Sequence, residues 1–359
     1  MVLASLQGDL KVACLYDSGR GYAQGVIYAE NVPRKSPLVI GHRGAPGYRP
    51  EHTRSSYELA MAMGVDAVEP DVVATSDGVL VVRHENEISG TTDVAERPEF
   101  EDRQTTKSVD GHRITGWFTE DFTWAELETL RCRERLPEVR GTSASFDGQQ
   151  RMLRLTEVLD LVRAGSLEHG REIGVVLEVK HATHFAGIGL DLAPLIERDL
   201  RASGWADGAL PLVIESFEST VLGQLRERRI AASYIYLIEA TGRPHDLFSV
   251  HGRAARTYRS TVSPEGLDEL IGRVDGVSVN KRMLLSRGSR IVPDAHARGL
   301  RVFTWTCRPE NAFLASDYRS AGGPAEFGHY EEEWAVIADS GVDGVFVDHP
   351  DLGVEFFRR

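Results

Sequence analysis

The sequence has little cysteine, no long apolar run and no excess of basic residues. Its 359 residues include only Cys14, Cys132 and Cys307, a set too sparse for a disulfide framework or a structural zinc site and more typical of a reducing compartment. No apolar run approaches the ~18 residues that span a bilayer, so no membrane span is expected. The 41 Lys and Arg residues face 54 Asp and Glu, a formal net charge of −13, which argues against nucleic acid as a partner and against a polybasic membrane anchor.

Several common catalytic and targeting motifs are also absent. The sequence contains no GxxxxGK[ST] loop, no GxSxG elbow, no HExxH pair and no GxGxxG fingerprint, so nucleotide kinases, serine hydrolases, zinc peptidases and Rossmann oxidoreductases lose support. The first residues carry no basic side chain before Lys11, and residues 7–9 interrupt their apolar run. Because this is a poor signal peptide, the sequence predicts a cytoplasmic location, with export left open if the start is misassigned.

Short apolar runs alternate with helical patterns over residues 37–359. Nine runs predict strands buried on both faces, as in a parallel sheet: 38–40, 67–73, 79–82, 175–177, 212–214, 234–238, 277–279, 302–305 and 345–347. Helices are predicted from Ser55 to Gly64 and over 187–203, 219–229, 288–299 and 331–340. This alternation predicts an α/β fold, specifically a (β/α)₈ TIM barrel. The nine candidates are one more than the eight strands of such a barrel, so either 79–83 or 345–347 is expected to be a hairpin arm or a short edge.

Two regions depart from this alternation. Residues 1–36 are predicted to form an N-terminal extension with a short hairpin-like pattern. Residues 85–173 are polar and are predicted to form a small subdomain inserted after the third strand. Because βα loops build the active site at one end of a TIM barrel, the insertion is expected to cover that mouth and narrow it.

Polar side chains recur at the ends of four otherwise apolar strands. They are His42, Arg43, Glu69, Asp71, His84, Glu178 and Lys180. Residues i and i+2 of a strand share a face, so Glu69 lies with Asp71, and Glu178 lies with Lys180. One such pair alone is more often a solvated edge or an ion pair, but recurrence at four strands favours convergence in the barrel mouth. Three further histidines lie in polar stretches and are interpreted as surface residues: His112, His245 and His251.

These residue types predict one kind of chemistry. Three clustered carboxylates repel one another unless a cation lies among them, and oxygen ligands suit Mg²⁺ or Ca²⁺ rather than zinc. Arg43 and Lys180 are suited to hold a phosphate, and His42 and His84 to act as base and acid near neutral pH, in an order that the sequence leaves open. Together they predict metal-assisted phosphoester hydrolysis.

An ordered series of motifs spans about residues 37–352. It includes His42-Arg43-Gly44-Ala45, Pro50-Glu51-His52-Thr53, Glu69-Pro70-Asp71-Val72, Val82-Arg83-His84, Leu177-Glu178-Val179-Lys180, Ser216-Phe217, Thr304-Trp305-Thr306 and Val347-Asp348-His349-Pro350. This series resembles the glycerophosphodiester phosphodiesterase family. The length of the insertion is similar to that of the larger, periplasmic-type bacterial branch.

The resemblance implies a fold, a reaction and roles for particular residues. It implies a TIM barrel that hydrolyses glycerophosphodiesters, as small-molecule substrates, to sn-glycerol 3-phosphate and an alcohol. The implied roles are an acid–base pair of His42 and His84, one divalent cation (Ca²⁺ or Mg²⁺) on Glu69, Asp71 and Glu178, phosphate contacts from Arg43 and Lys180, and a position for Glu51 close to the metal or to Arg43. Phe217 and Trp305 are expected to line the glycerol side, since an apolar wall fits its carbon edge.

The chain departs from the family pattern at two positions, and two alternative functions stay open. The family usually has Asn where this chain has His52, and the commoner His-Asp ending is replaced by His84-Glu85. One alternative is a phospholipase D-like barrel that cleaves lysophospholipid or sphingomyelin by intramolecular attack. The other is a phosphodiester-binding protein without catalysis, which the presence of both His42 and His84 argues against. The oligomeric state is not predicted.

Overall fold

Parallel strands close into a barrel in the computed structural model, which describes residues 36–359. The predicted extension over residues 1–36, with its hairpin-like pattern, lies outside the described residues except for its last position. The strands are β1 Leu38–His42, β2 Ala67–Glu69, β3 Asp71–Ala74, β4 Leu80–Val82, β5 Thr105–Val109, β6 His112–Gly116, β7 Gly174–Val179, β8 Leu212–Ser216, β9 Ser233–Ile238, β10 Gly276–Asn280, β11 Arg301–Cys307 and β12 Gly344–Val347.

The sheet closes because its first and last parallel strands meet. β1 pairs with β2 and β12, and the parallel series continues through β11, β10, β9, β8 and β7 back to β2 and β3. β2 and β3 are two parts of one barrel strand, divided at Pro70, which has no N–H to donate. The eight parallel positions confirm the predicted TIM barrel.

The surplus strand of the sequence analysis is β4. It pairs antiparallel with β3, with Val72 opposite Val82, and the turn between them is closed by Thr75 N–H donating to the Val79 carbonyl at 3.0 Å. No helix fits in so short a connection. The prediction of a hairpin arm at 79–83 is therefore confirmed, and 345–347 belongs to the barrel strand β12.

Helices surround the barrel and connect its strands. They are α1 Arg54–Ala62, α2 Trp124–Leu127, α3 Gly141–Ala144, α4 Leu155–Glu168, α5 Ala182–Gly187, α6 Leu192–Ala202, α7 Ser219–Glu227, α8 His245–His251, α9 Tyr258–Thr261, α10 Pro264–Leu270, α11 Lys281–Leu284, α12 Ile291–His296, α13 Tyr330–Asp339 and α14 Pro350–Phe357. Within residues 36–359, five short 3₁₀ helices cover Val94–Glu96, Pro98–Arg103, Thr119–Asp121, Gly252–Ala254 and Ser316–Tyr318. The first helix starts one residue earlier than predicted, because the Thr53 side chain accepts the backbone N–H of Ser56.

The region predicted as an insertion contains one element of the barrel itself. α4 packs against α1, α6, β4 and β7 and so occupies the helical layer between the second and third barrel strands. The preceding part of the range 85–173 holds the β5–β6 hairpin and short helices. Within residues 36–359, no helix has the length and apolar character needed to cross a membrane.

Two apolar layers position the site. The barrel interior is filled by side chains from alternate strand positions: Leu38, Ile40, Ala67, Val176, Val213, Ile235, Phe303 and Phe346. A larger apolar layer lies between the barrel and its helices. Since alternate residues share a face, the positions two residues beyond the inner layer point into the carboxyl-terminal mouth.

Two glycine substitutions are expected to change stability in opposite directions. A Cβ on Gly276 in β10 would lie 2.5 Å from the Arg301 carbonyl oxygen and 2.9 Å from Ile235 Cδ1, whereas a Cβ on Gly223 in α7 meets open space. Gly276→Ala should lower the free energy of unfolding by about 1–3 kcal/mol through forced backbone movement. Gly223→Ala should raise it by up to about 1 kcal/mol through helix propensity. Denaturant unfolding of both variants checks this, and equal effects would contradict it.

Candidate active site

The polar strand ends meet in one cavity of about 540 Å³ at the barrel mouth. The predicted residues that line it are His42, Arg43, Glu69, His84, Glu178, Lys180, Phe217 and Trp305. The other two predicted residues, Asp71 and Glu51, are buried behind this surface and contact Arg43. The i+2 rule therefore placed Glu69, Glu178 and Lys180 on the face that lines the cavity.

Three buried carboxylates approach a common point: two of the predicted cation ligands and one residue that was not predicted. One oxygen each from Glu69, Glu178 and Glu215 lies within 4.8 Å of the others. The sequence analysis placed Asp71 in this set and missed Glu215. Glu215 pairs with Glu178 in the β7–β8 register. It lies two residues after Val213, which points into the barrel interior, and this i+2 spacing could have predicted that Glu215 faces the mouth.

Asp71 is held beside the three carboxylates by other partners. His52 Nε2 donates to Asp71 Oδ2 at 2.8 Å, and Arg43 Nε lies 3.5 Å from the same oxygen. The other ring nitrogen of His52 lies 2.7 Å from the Tyr57 hydroxyl, so the residue that departs from the family pattern orients Asp71. Although burial opposes ionisation, Lys180, together with His84 and His52, lowers the pKa of Asp71 well below its usual value.

The three converging carboxylates have raised pKa values. Burial is the main cause for Glu69 and Glu215, and neighbouring carboxylates add to it. Burial likewise raises the pKa of Glu178 to about 8, although Lys180 Nζ donates to it at 2.8 Å and opposes the shift. Within the described residues, Glu215 Oε2 and Asp71 Oδ1 are buried without a hydrogen-bond partner. Crowded carboxylate oxygens without partners fit a hard divalent cation.

Cation binding at these carboxylates should release protons. Because the pKa of Glu178 is about 8 in the cation-free protein, a proton must leave before a cation binds below that pH. The apparent affinity for Mg²⁺ or Ca²⁺ should therefore rise from pH 6 to pH 8, by roughly ten-fold per pH unit for each proton displaced. Calorimetric titration in buffers with different ionisation enthalpies measures this release.

A pair of charge-neutralising variants provides the control. Glu215→Gln should weaken cation binding and reduce the number of protons released. Glu168→Gln removes an equivalent charge at the exposed end of α4 and should change neither. Binding without proton release would contradict the assignment of these carboxylates.

Each of the two site histidines is held by a carboxylate. His42 Nδ1 lies 2.6 Å from Asp348 Oδ1, and His84 Nδ1 lies 2.5 Å from Glu85 Oε1. Because an ionised carboxylate only accepts hydrogen bonds, each Nδ1 carries the proton, which leaves Nε2 with its lone pair. His84 Nε2 lies 3.1 Å from Lys180 Nζ. Glu85, the second departure from the family pattern, thus has an orienting contact.

Both rings are neutral near pH 7. Burial, assisted by the charge of Arg43, lowers the pKa of His42 to about 4 and that of His84 to about 3. Asp348 and Glu85 oppose these shifts without reversing them. Each ring is consequently in the form that accepts a proton.

Arg43 is fixed at the centre of an ion-pair network. Its backbone N–H donates to Glu69 at 2.7 Å, and its Nη1 donates to Glu51 at 3.0 Å. Arg135, from the insertion, joins Glu51 and Glu85 with two contacts of 2.6 Å. Arg135 and Arg43 outweigh the effect of burial and lower the pKa of Glu51 well below its usual value.

A second network surrounds the partner of His42. Asp348 is buried and accepts hydrogen bonds from Arg140 at 2.5 Å and from Arg308 at 2.6 Å. Arg140 also donates to Glu310 at 2.8 Å. Since Arg135 and Arg140 both belong to the insertion, the insertion lies at the carboxyl-terminal mouth of the barrel, as expected.

Phe217 and Trp305 form an apolar wall of the cavity. Their rings are 5.5 Å apart in a T-shaped arrangement, and Lys180 Nζ lies 5.6 Å from the centre of the Phe217 ring. Trp305 Nε1 donates to the Ser278 carbonyl at 3.2 Å, which fixes the indole.

A TIM barrel with buried carboxylates, paired histidines and fixed cations at its mouth defines a class of barrel phosphodiesterases. The model of the Glycerophosphoryl diester phosphodiesterase family matches residues 42–352, and the chain belongs to that family. The prediction that it is a phosphoric diester hydrolase is thereby confirmed.

Individual relatives agree with this membership. The chain is 28% identical to a glycerophosphodiester phosphodiesterase of Arabidopsis thaliana over 87% of this chain and 83% of the relative. It is 25% identical to a glycerophosphodiester phosphodiesterase of Haemophilus influenzae, over 90% of this chain and 91% of the relative. Its fold is similar to a solved Silicibacter pomeroyi structure, described as a glycerophosphoryl diester phosphodiesterase, with a TM-score of 0.61, 24% identity and coverage of 90% and 94%. An Oleispira antarctica phosphodiesterase, solved with sn-glycerol-3-phosphate as product, has a TM-score of 0.59, 19% identity and coverage of 90% and 98%.

Proposed function

We propose that the protein hydrolyses glycerophosphodiesters to sn-glycerol 3-phosphate and an alcohol, using one divalent cation, Ca²⁺ or Mg²⁺. The observation that carries this proposal is the single cavity in which the carboxylates, both histidines, Arg43 and Lys180 meet. The product named for the Oleispira antarctica structure supports the choice of product.

The buried carboxylates form the proposed cation site. Glu69, Glu178 and Glu215 would hold the ion, with Asp71 beside them. When bound, the cation supplies Lewis-acid polarisation of the phosphoryl oxygens. This set contains one more carboxylate than the three that the sequence predicted.

Arg43 and Lys180 are proposed to bind the phosphate and to offset the charge that develops on it. Arg43 is held by Glu51 and lies close to Asp71, so its charge does not have to reorganise during the reaction. Fixed charges in a site that excludes water are more effective than mobile ones in solvent. Phe217 and Trp305 are proposed to contact the carbon edge of the glycerol.

His42 and His84 are proposed to act as the base and acid pair. With Nδ1 held by a carboxylate, each ring presents Nε2 as the atom that moves a proton. One histidine takes the proton of the nucleophile, which is water or the glycerol 2-hydroxyl. The other ring first takes up a proton from solvent at Nε2, which gives the cationic ring, and then donates it to the leaving alkoxide. If the 2-hydroxyl attacks, water opens the cyclic phosphate in a second step and sn-glycerol 3-phosphate is released. Asp348 and Glu85 then stabilise whichever ring carries the positive charge.

The two histidine variants are expected to lose turnover while keeping the fold. His42→Ala and His84→Ala should each reduce kcat by roughly 10²–10⁴-fold, the range for loss of a general acid or base. His251→Ala, at an exposed histidine that ends α8, is the matched control and should retain full activity. Near-normal turnover in both site variants, with unchanged circular dichroism, would reject the assignment.

The reaction itself is tested by alcohol release. The protein should release choline or ethanolamine from the matching glycerophosphodiester, lose this activity in EDTA, and regain it with added Mg²⁺ or Ca²⁺. Full activity after complete metal removal would reject the cation. Preferential cleavage of lysophospholipid or sphingomyelin would favour the phospholipase D-like alternative. Binding of the phosphodiester without turnover would favour the non-catalytic binding protein. The cytoplasmic location stays a prediction.

A further inference from the structure

A second cavity of about 540 Å³ adjoins the first. The two share the lining residues Glu178, Lys180, Phe217 and Glu239. The β5–β6 hairpin of the insertion forms one side of the second cavity, and residues of α8 and α9 form the other. The insertion therefore contributes a wall to a space that opens from the proposed phosphate-binding residue.

Phe217 stands between the two cavities. Its ring is T-shaped with Trp305 at 5.5 Å in the first cavity and with Tyr258 at 6.1 Å in the second. A phosphodiester has two arms joined at phosphorus. With the phosphate at Lys180, the glycerol arm would lie in the first cavity, and the second cavity is open to the other arm.

The second cavity carries an excess of negative charge beyond the shared Glu178–Lys180 pair. Three further carboxylates line it: Asp110, Glu218 and Glu239. Apart from Lys180, the lysine or arginine that lines it is Arg243. Arg243 is exposed, and its Nε donates to the Ala255 carbonyl at 2.9 Å. Burial raises the pKa of Glu218 to about 7, so this residue carries part of a charge at neutral pH.

Asp110 is the residue of the insertion best suited to contact a cation here. His181 Nδ1 lies 2.6 Å from Asp110 Oδ2, whereas Oδ1 is buried without a hydrogen-bond partner in the described part of the chain. His245 Nε2 is 3.9 Å from Oδ1. His112 is exposed, as predicted, and His245 is half-buried; both also line this cavity, which the sequence analysis did not predict. The hairpin brings His112 to the cavity, and α8 brings His245.

The aromatic residues complete the match to an organic cation. Phe217 and Tyr258 line the cavity as neighbouring rings, and aromatic faces attract ammonium groups. We infer that the second cavity holds the leaving alcohol of the diester and favours alcohols that carry an ammonium group. This inference rests on the proposed function and extends it to the substrate class.

A pair of substrates matched in shape but not in charge tests the inference. The first is glycerophosphocholine, and the second is the glycerophosphodiester of 3,3-dimethylbutanol, in which carbon replaces the quaternary nitrogen. The two leaving groups have nearly the same shape, so only charge differs. The wild-type protein should have a kcat/KM about ten-fold higher for the choline ester, because aromatic faces and carboxylates favour the cation.

Asp110→Asn removes the charge at the hairpin and keeps the shape. Asn tolerates the positive φ of 48° at this position. The variant should lose about five-fold or more of kcat/KM on the choline ester while staying within about two-fold of wild type on the neutral ester. Asp102→Asn, an exposed carboxylate of the same insertion that does not line the cavity, is the control and should match wild type on both.

The outcomes separate the inference from the proposed function. Equal wild-type rates on the two esters, or a faster rate on the neutral ester, would overturn the cationic preference while leaving the hydrolase proposal intact. Hydrolysis of neither ester would overturn the proposed function and the inference with it. If Asp110→Asn fails to fold, the wild-type protein can be tested with tetramethylammonium instead. The inference predicts that this cation inhibits hydrolysis of the neutral ester, and absence of inhibition would contradict it.

Discussion

A buried carboxylate must have a positive partner, because removing its charge from water is costly, and this requirement shapes the barrel mouth. The carboxylates closest to the phosphate-binding residues and the histidine His42 are buried: Glu51, Glu69, Asp71, Glu178, Glu215 and Asp348. Guanidinium groups or the Lys180 ammonium group contact four of them, Glu51, Asp71, Glu178 and Asp348. The remaining two, Glu69 and Glu215, have the strongly raised pKa values, and a divalent cation would satisfy the same requirement there. The arginines of the insertion therefore contribute to the electrostatics of the mouth as well as covering it.

The fold was predictable because a parallel barrel imposes a simple pattern. Strands buried on both faces give continuous apolar runs, and the few residues between Val72 and Leu80 leave no room for a crossover helix. The alternation of strand faces then placed Glu69, Glu178 and Lys180 in the mouth without any knowledge of tertiary contacts. These features depend on local sequence, and the structure confirms them.

The missed residues depend on long-range contacts or on isolated signals. Glu215 is a single carboxylate at the end of an apolar strand, without the polar partner at i+2 that marked Glu69 and Glu178. Arg140 contacts a residue 208 positions away, and Arg135 one 84 positions away, and no periodicity in the polar insertion indicates either contact. Asp348 appeared within a family motif, but its contact with His42 required the closed barrel.

The contact between His42 and Asp348 joins residues 306 positions apart, on the first and last sides of the barrel seam. During synthesis the chain therefore carries His42, Arg43 and the carboxylates long before the ring of His42 has its partner. A nascent chain that ends before β12 leaves the seam open and Nδ1 of His42 without its acceptor. Catalytic competence should thus appear only after β12 and Asp348 have been synthesised, so chains that stop before them would not hydrolyse substrate.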